Sequence, residues 1–226
     1  MDLGKLLKTA PVKGEFAPTL PQLLAPRIDS LPRIVLRVIV VAVLVIAAAA
    51  VLLDLRLRNP VFSYAGSPSF STTYSRTLTK EPTRAHGPIL TLEQRSSAGL
   101  EASFQITTLG LPRYRGEVSG LLPVVASAMI ARMEAANPTF LPYSRGRTRI
   151  NLIPGYSFTY QETIGGRLYW GRDVLITPDI TGDRKGLLLS MLTDPAPLAD
   201  ATKPVTPDSV GSVGVLFEPL QRLRFH

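Results

Sequence analysis

The pattern of apolar and polar positions sets one stretch apart from the rest of the chain. From Ile34 to Leu53 the apolar residues run on with only Arg37 to interrupt them, and neither a helical nor a strand period shows. At about 1.5 Å per residue, a helix of that length spans roughly 30 Å, the thickness of a bilayer's hydrocarbon core. Every face of such a helix is apolar, so it needs lipid around it rather than water. Arg37 lies close to one end, where a long side chain reaches the head groups. Residues 34–53 are therefore read as a single transmembrane helix. The small residues Ala47–Ala50 are followed by Val-Leu-Leu, still apolar, which favours an uncleaved signal anchor over a cleaved signal peptide.

Residues 1–33 carry five prolines and no long apolar period, and are read as a disordered cytoplasmic tail. Residues 54–69 are a linker with a short strand at Val61–Tyr64, and residues 70–226 form one domain. In that domain Phe70–Leu78 is rich in strand formers. Ile89–Arg95 and Leu100–Thr108 flank a Ser-Ser-Ala-Gly turn and predict a hairpin. Leu121, Leu122, Val125, Met129, Arg132 and Met133 recur at three- and four-residue steps, predicting a helix over Ser119–Ala136. Ser119 would cap it, Pro123 falls in its first turn, and Asn137-Pro138 stops it. Arg145, Arg147 and Arg149 alternate with Gly, Thr and Ile, so that in a strand all three share one face. Tyr156, Phe158 and Tyr160 likewise share one, and Gly165-Gly166 turns that strand back into Arg167–Ile176. Leu187–Leu192 is a further strand. Asp208 would cap a short helix through Val210–Phe217, ended by Pro219, before an alternating close at Leu220–Phe225. Strand meanders with one long and one short helix set apart from them predict an α+β domain built on an antiparallel sheet.

Charge orients the chain. The formal net charge is +8, and six Lys/Arg up to Arg37 face only Arg56 and Arg58 on the far side of the apolar stretch. The bias places the N-terminus in the cytoplasm and the C-terminal domain outside it, at the cell membrane. Like charges never run beyond two residues, so a nucleic-acid partner has only the bulk basicity behind it and is not expected. Nineteen arginines against six lysines suggest a GC-rich bacterial genome.

The order of meander, long helix, meander and short C-terminal helix resembles PsbP-like domains, the family of the photosystem oxygen-evolving accessory protein and its bacterial relatives. The similar pieces are Phe70-Ser-Thr-Thr-Tyr74, Gly166-Arg-Leu-Tyr-Trp170 and the Phe217–Phe225 close, spread over residues 60–226. The resemblance implies a domain that binds or assists other proteins outside a membrane. The family has no catalytic set shared by all members, so no residue role is carried over.

A search for chemistry leaves little. The chain has no cysteine, which removes disulfides, thiolate metal sites and cysteine nucleophiles. Its two histidines, His86 and His226, form neither a metal-binding pair nor part of an evident triad. Asp173, Asp179 and Asp183 lie close in sequence but without the spacing of a calcium loop. Glu93, Glu101 and Glu162 fall on predicted strands, where an acid–base pair would need two of them together. Gly211-Ser-Val-Gly214 lacks the strand–turn–helix setting of a nucleotide loop. No cofactor is expected. The remaining constellation is Arg145, Arg147 and Arg149, with Arg113 and Arg115 in another loop. Three guanidiniums on one strand face suit a lipid phosphate, an anionic glycan or an acidic partner, or simply a solvated face with partners among the acids. The expected function is a non-enzymatic accessory subunit that binds or organises a protein partner at the membrane. A carboxylate-dependent hydrolase or transferase, and a carrier of lipid or apolar ligands, are the alternatives.

Overall fold

The computed structural model describes residues 33–112, 115–178, 185–195 and 206–226. The chain divides into two compact units at Arg58/Asn59. In the first, α1 runs from Arg33 to Leu57, 25 residues and longer at both ends than the apolar stretch. A helix is the conformation that satisfies every backbone donor and acceptor of such a segment within itself. Its described side chains from Arg37 to Ala50 are all exposed.

The second unit is an α+β domain of antiparallel strands and few helices. A seven-stranded sheet holds β3 (Thr79–Lys80), β4 (Leu90–Ser96), β5 (Gly99–Gly110), β6 (Leu141–Ile150), β7 (Ile153–Ile164), β8 (Arg167–Ile176) and β9 (Lys185–Thr193). Their order is β3-β4-β5-β9-β8-β7-β6. After β5 the chain crosses to the far edge through α2 (Leu122–Ala136), starts again at β6, and returns by a meander until β9 lies beside β5. The smaller sheet pairs β1 (Val61–Tyr64), β2 (Phe70–Thr73) and β10 (Arg224–Phe225).

The large sheet is covered on both faces. One face packs Leu92, Phe104, Val174, Leu189 and Met191 against Phe70 of the small sheet and against Leu220 and Leu223 of the C-terminal segment. The other packs Phe158, Tyr160 and Leu175 under Leu122, Ala126 and Ile130 of α2. The stretch Val118–Ala136 is long and apolar enough to cross a membrane by composition, but these buried contacts make it a helix of the domain's own core.

Two expected caps are corrected. Residues Val118–Leu121 form a turn of 3-10 helix before α2, and the Ser119 hydroxyl donates to Glu117 at 2.5 Å rather than capping the α-helix. The expected helix over Val210–Phe217 is also absent. Gly211 and Gly214 take φ of 74° and 71°, left-handed values that break a right-handed helix. Short 3-10 turns at Pro207–Ser209 and Gly214–Leu216 replace it, and α3 runs over Phe217–Gln221 with Pro219 inside it. Residues 1–32, Arg113, Asp179 and Asp183 lie outside the described residues, and so do the expectations placed on them.

Candidate functional site: the arginine edge strand

Of the residues singled out in the sequence, Arg145, Arg147 and Arg149 are the ones the fold draws together. They lie on β6, which has β7 on one side and, among the described residues, no strand on the other. The register sets Arg145 against Phe158, Arg147 against Tyr156 and Arg149 against Pro154. Side chains alternate between faces, so all three guanidiniums share the α2 side of the sheet, about 7 Å apart along the strand. All three are exposed, and none makes a hydrogen bond or ion pair among the described residues.

Two open grooves border the row. The one at the start of α2 holds about 580 Å³ and is lined by Glu117, Ser119, Pro123, Arg147, Arg149 and Tyr156. The one alongside α2 holds about 450 Å³ and brings Arg145 together with Ser127, Glu134 and Tyr143. Together they set two carboxylates against three guanidiniums, so the surface keeps a positive balance. Arg115 is exposed on the chain leading into the helix.

The C-terminal segment holds β6 from the opposite face. Asp208 accepts hydrogen bonds from the hydroxyls of Ser144 on β6 and Thr159 on β7, the latter at 2.8 Å. Asn151, in the β6–β7 turn, donates to the carbonyls of Gln221, at 3.0 Å, and Leu223. Arg172 on β8 donates to the Val210 carbonyl at 3.2 Å, and burial pulls its pKa down against the opposing pull of Asp208. The arginine face is thus displayed on a strand whose other side is fixed to the body of the domain.

The other candidates are dispersed. Glu93 pairs with Arg95 at 2.6 Å, Glu101 accepts from Gln94 at 2.8 Å, and Glu162 accepts from Asn137 at 3.0 Å. No two of the three carboxylates are register partners. No group of three or more His, Asp or Glu able to hold a metal occurs among the described residues. His86 is exposed. His226 Nε2 lies 2.7 Å from the Ser71 hydroxyl, a pairing invisible in the sequence because 155 positions separate the two. A nucleophile–base couple needs a third group to orient the imidazole, and among the described residues no carboxylate is hydrogen-bonded to this ring.

Asp173 is the site's unforeseen neighbour. It lies within β8, fully buried, a setting that its grouping with Asp179 and Asp183 in the sequence does not suggest. Burial, opposed by the Ser190 hydroxyl and assisted by Glu162, pushes its carboxyl up to about 7. Its Oδ1 has no hydrogen-bond partner. Tyr160 is pushed well above the usual phenol range by burial, then by Asp173 and Glu162. A mainly apolar groove of about 210 Å³, beside Val210, Val213 and Leu216, lies by the C-terminal loop rather than between sheet and helix. An apolar carrier would need its cavity in the latter place.

No family model matches the chain, and no curated protein matches it. Solved structures do match in outline. The solution structure of cyanobacterial PsbP from Synechocystis sp. PCC 6803 is 10% identical, with a TM-score of 0.49 over 75% of this chain and 93% of that one. LpqN of Mycobacterium tuberculosis, described as involved in cell envelope biogenesis, is 8% identical with a TM-score of 0.48 over 74% and 90%. The Saccharomyces cerevisiae Ran-binding protein Mog1p is 8% identical with a TM-score of 0.46 over 74% and 95%. These are weak likenesses of fold, and no activity or partner is taken from them.

Proposed function

We infer that the protein is a single-pass, membrane-anchored accessory protein whose extracytoplasmic domain binds a protein partner without catalysing a reaction. The observation that carries this is α1, a 25-residue helix whose described side chains are almost all apolar and all exposed from Arg37 to Ala50. A helix apolar on every side is stable in lipid and a liability in water. The distribution of basic residues supports the cytoplasmic N-terminus and the outward domain. The dispersal of the carboxylates and the exposed arginine edge support binding over catalysis.

The test is photo-crosslinking in intact membranes with a crosslinkable residue at Thr148, on β6, and a control at Thr83, in the loop before β4. The expected outcome is a discrete crosslinked species of higher mass from Thr148 alone. Equal, diffuse crosslinking from both positions would contradict partner binding at this edge, and a chain that stays monomeric with crosslinkable residues placed over every exposed face of the domain would contradict an accessory role.

A further inference from the structure

The backbone of β6 tells which of its groups face outward. Asn151 and Leu152, with φ of 47° and 71°, form a two-residue turn with both φ positive, the type I′ hairpin loop. Such a loop closes on a hydrogen-bonded pair, here Ile150 and Ile153. Antiparallel pairs alternate between hydrogen-bonded and non-hydrogen-bonded. Thr148–Gly155 and Gly146–Ser157 are therefore bonded pairs, whereas Arg149–Pro154, Arg147–Tyr156 and Arg145–Phe158 are not. Pro154, which has no N–H, sits at a position that needs none. The N–H and C=O of Arg145, Arg147 and Arg149 consequently point away from β7, to the side where, among the described residues, the sheet has no further strand.

Each of the three arginines thus offers two backbone groups in the plane of the sheet and one guanidinium on its α2 face. On the opposite face the same strand shows Ser144, Gly146 and Thr148, and a Cβ added at Gly146 would meet nothing within 4 Å. The geometry points to β6 as an acceptor edge for strand addition by an acidic extended segment of a partner protein. Its Asp or Glu residues, at every second position, would lie beside the three guanidiniums, and its intervening residues over the small-residue row. Antiparallel addition continues the pattern of the sheet and sets each carboxylate directly opposite one arginine, the arrangement in which cross-strand ion pairs form.

A second copy of this chain is a poor occupant of that edge, because β6 laid on β6 with the two rows in register would oppose arginine to arginine. An anionic lipid headgroup would use the guanidiniums but leave the outward N–H and C=O groups unused, so the outward backbone favours a peptide. The proposal deepens the partner-binding function above by giving the partner's chemistry. If the partner crosslinks elsewhere on the domain, that function stands while this inference falls.

The experiment uses the full chain in phosphatidylcholine nanodiscs and a fluorescein-labelled peptide with Glu at three alternating positions and Val or Thr between. Binding is read by anisotropy. Three results are expected. Replacing Arg145, Arg147 and Arg149 together by Gln weakens binding at least about tenfold, with circular dichroism unchanged. N-methylation of the three Glu amides, which face β6 in an antiparallel pair, weakens it comparably with the protein unaltered. Raising the ionic strength weakens it further. Equal binding by a peptide with its three Glu contiguous, or by the N-methylated peptide, would overturn strand addition in favour of bulk charge attraction. Binding of dihexanoyl phosphatidylglycerol that depends on the three arginines, without binding of the peptide, would reassign the row to a lipid surface. Absence of binding to either probe would leave the arginines as charges that guard an exposed edge against aggregation, and would equally overturn the proposal.

Discussion

Two residues on the α2 side of β8 govern how firmly the domain holds together. At Gly171, a Cβ would fall 2.1 Å from the Tyr160 ring, which lies across from it in register. Tyr160 also packs against Phe140 at 4.9 Å and Phe158 at 5.9 Å between ring centroids, so it has little room to yield. Gly171→Ala is expected to cost about 1–3 kcal/mol, seen as a Tm lowered by several degrees. An unchanged Tm would mean the ring moves freely. Two positions on, burial lets Asp173 hold its proton up to about pH 7 in the folded chain, against 3.8 for an ordinary aspartate. A carboxyl raised on folding costs stability when ionised. The penalty is absent below about pH 4 and grows as pH rises toward 7, because the unfolded chain releases the proton first. Above 7 it is constant, on the order of 4 kcal/mol for such a shift. Asp173→Asn should therefore flatten the fall in stability between pH 4 and 7 and raise the Tm at pH 8. A variant whose pH profile follows the parent's would show that the acid contributes no such penalty.

At the scale of elements, the β6–β7 hairpin carries both the arginine row and a local cost. Leu152 takes a left-handed φ of 71° and is 87% exposed, so it has strain without compensating burial. Leu152→Gly would give the Asn-Gly pair that a type I′ turn favours. It is expected to stabilise the domain by up to about 1 kcal/mol, relief of left-handed strain outweighing the added freedom of the unfolded chain. A lowered Tm would mean that Leu152 makes contacts which hold the turn. This turn was hard to see in the sequence because leucine gives no turn signal, whereas Gly165-Gly166, which closes the next hairpin, was plain. The strands themselves were legible wherever apolar and polar residues alternate, as in Tyr156–Tyr160 and Arg145–Arg149. The buried line of α2 was only partly legible: Leu122 belongs to it, but Ala126 and Ile130 complete it while Arg132 is exposed. The C-terminal helix lies further along than the sequence suggests because Gly211 and Gly214 adopt left-handed φ values foreign to the interior of an α-helix.

At the scale of the whole molecule, the arginine row could be read from alternation alone, but its setting could not. That β6 is an edge, that α2 lies beside the guanidiniums, and that Asp208 and Asn151 hold the strand from behind all depend on contacts between residues distant in sequence. The Ser71–His226 pair was hidden for the same reason. The account's central claim is that α1 anchors the chain in a membrane and presents the β6 edge to a partner on the far side. Protease protection in intact cells or spheroplasts, with a tag at each end, tests it most directly. The C-terminal tag is expected to be cut from outside while the N-terminal tag stays protected until the membrane is breached. Protection of the C-terminal tag in intact cells would contradict the account, because the arginine edge would then face the cytoplasm and its partners would have to be sought there.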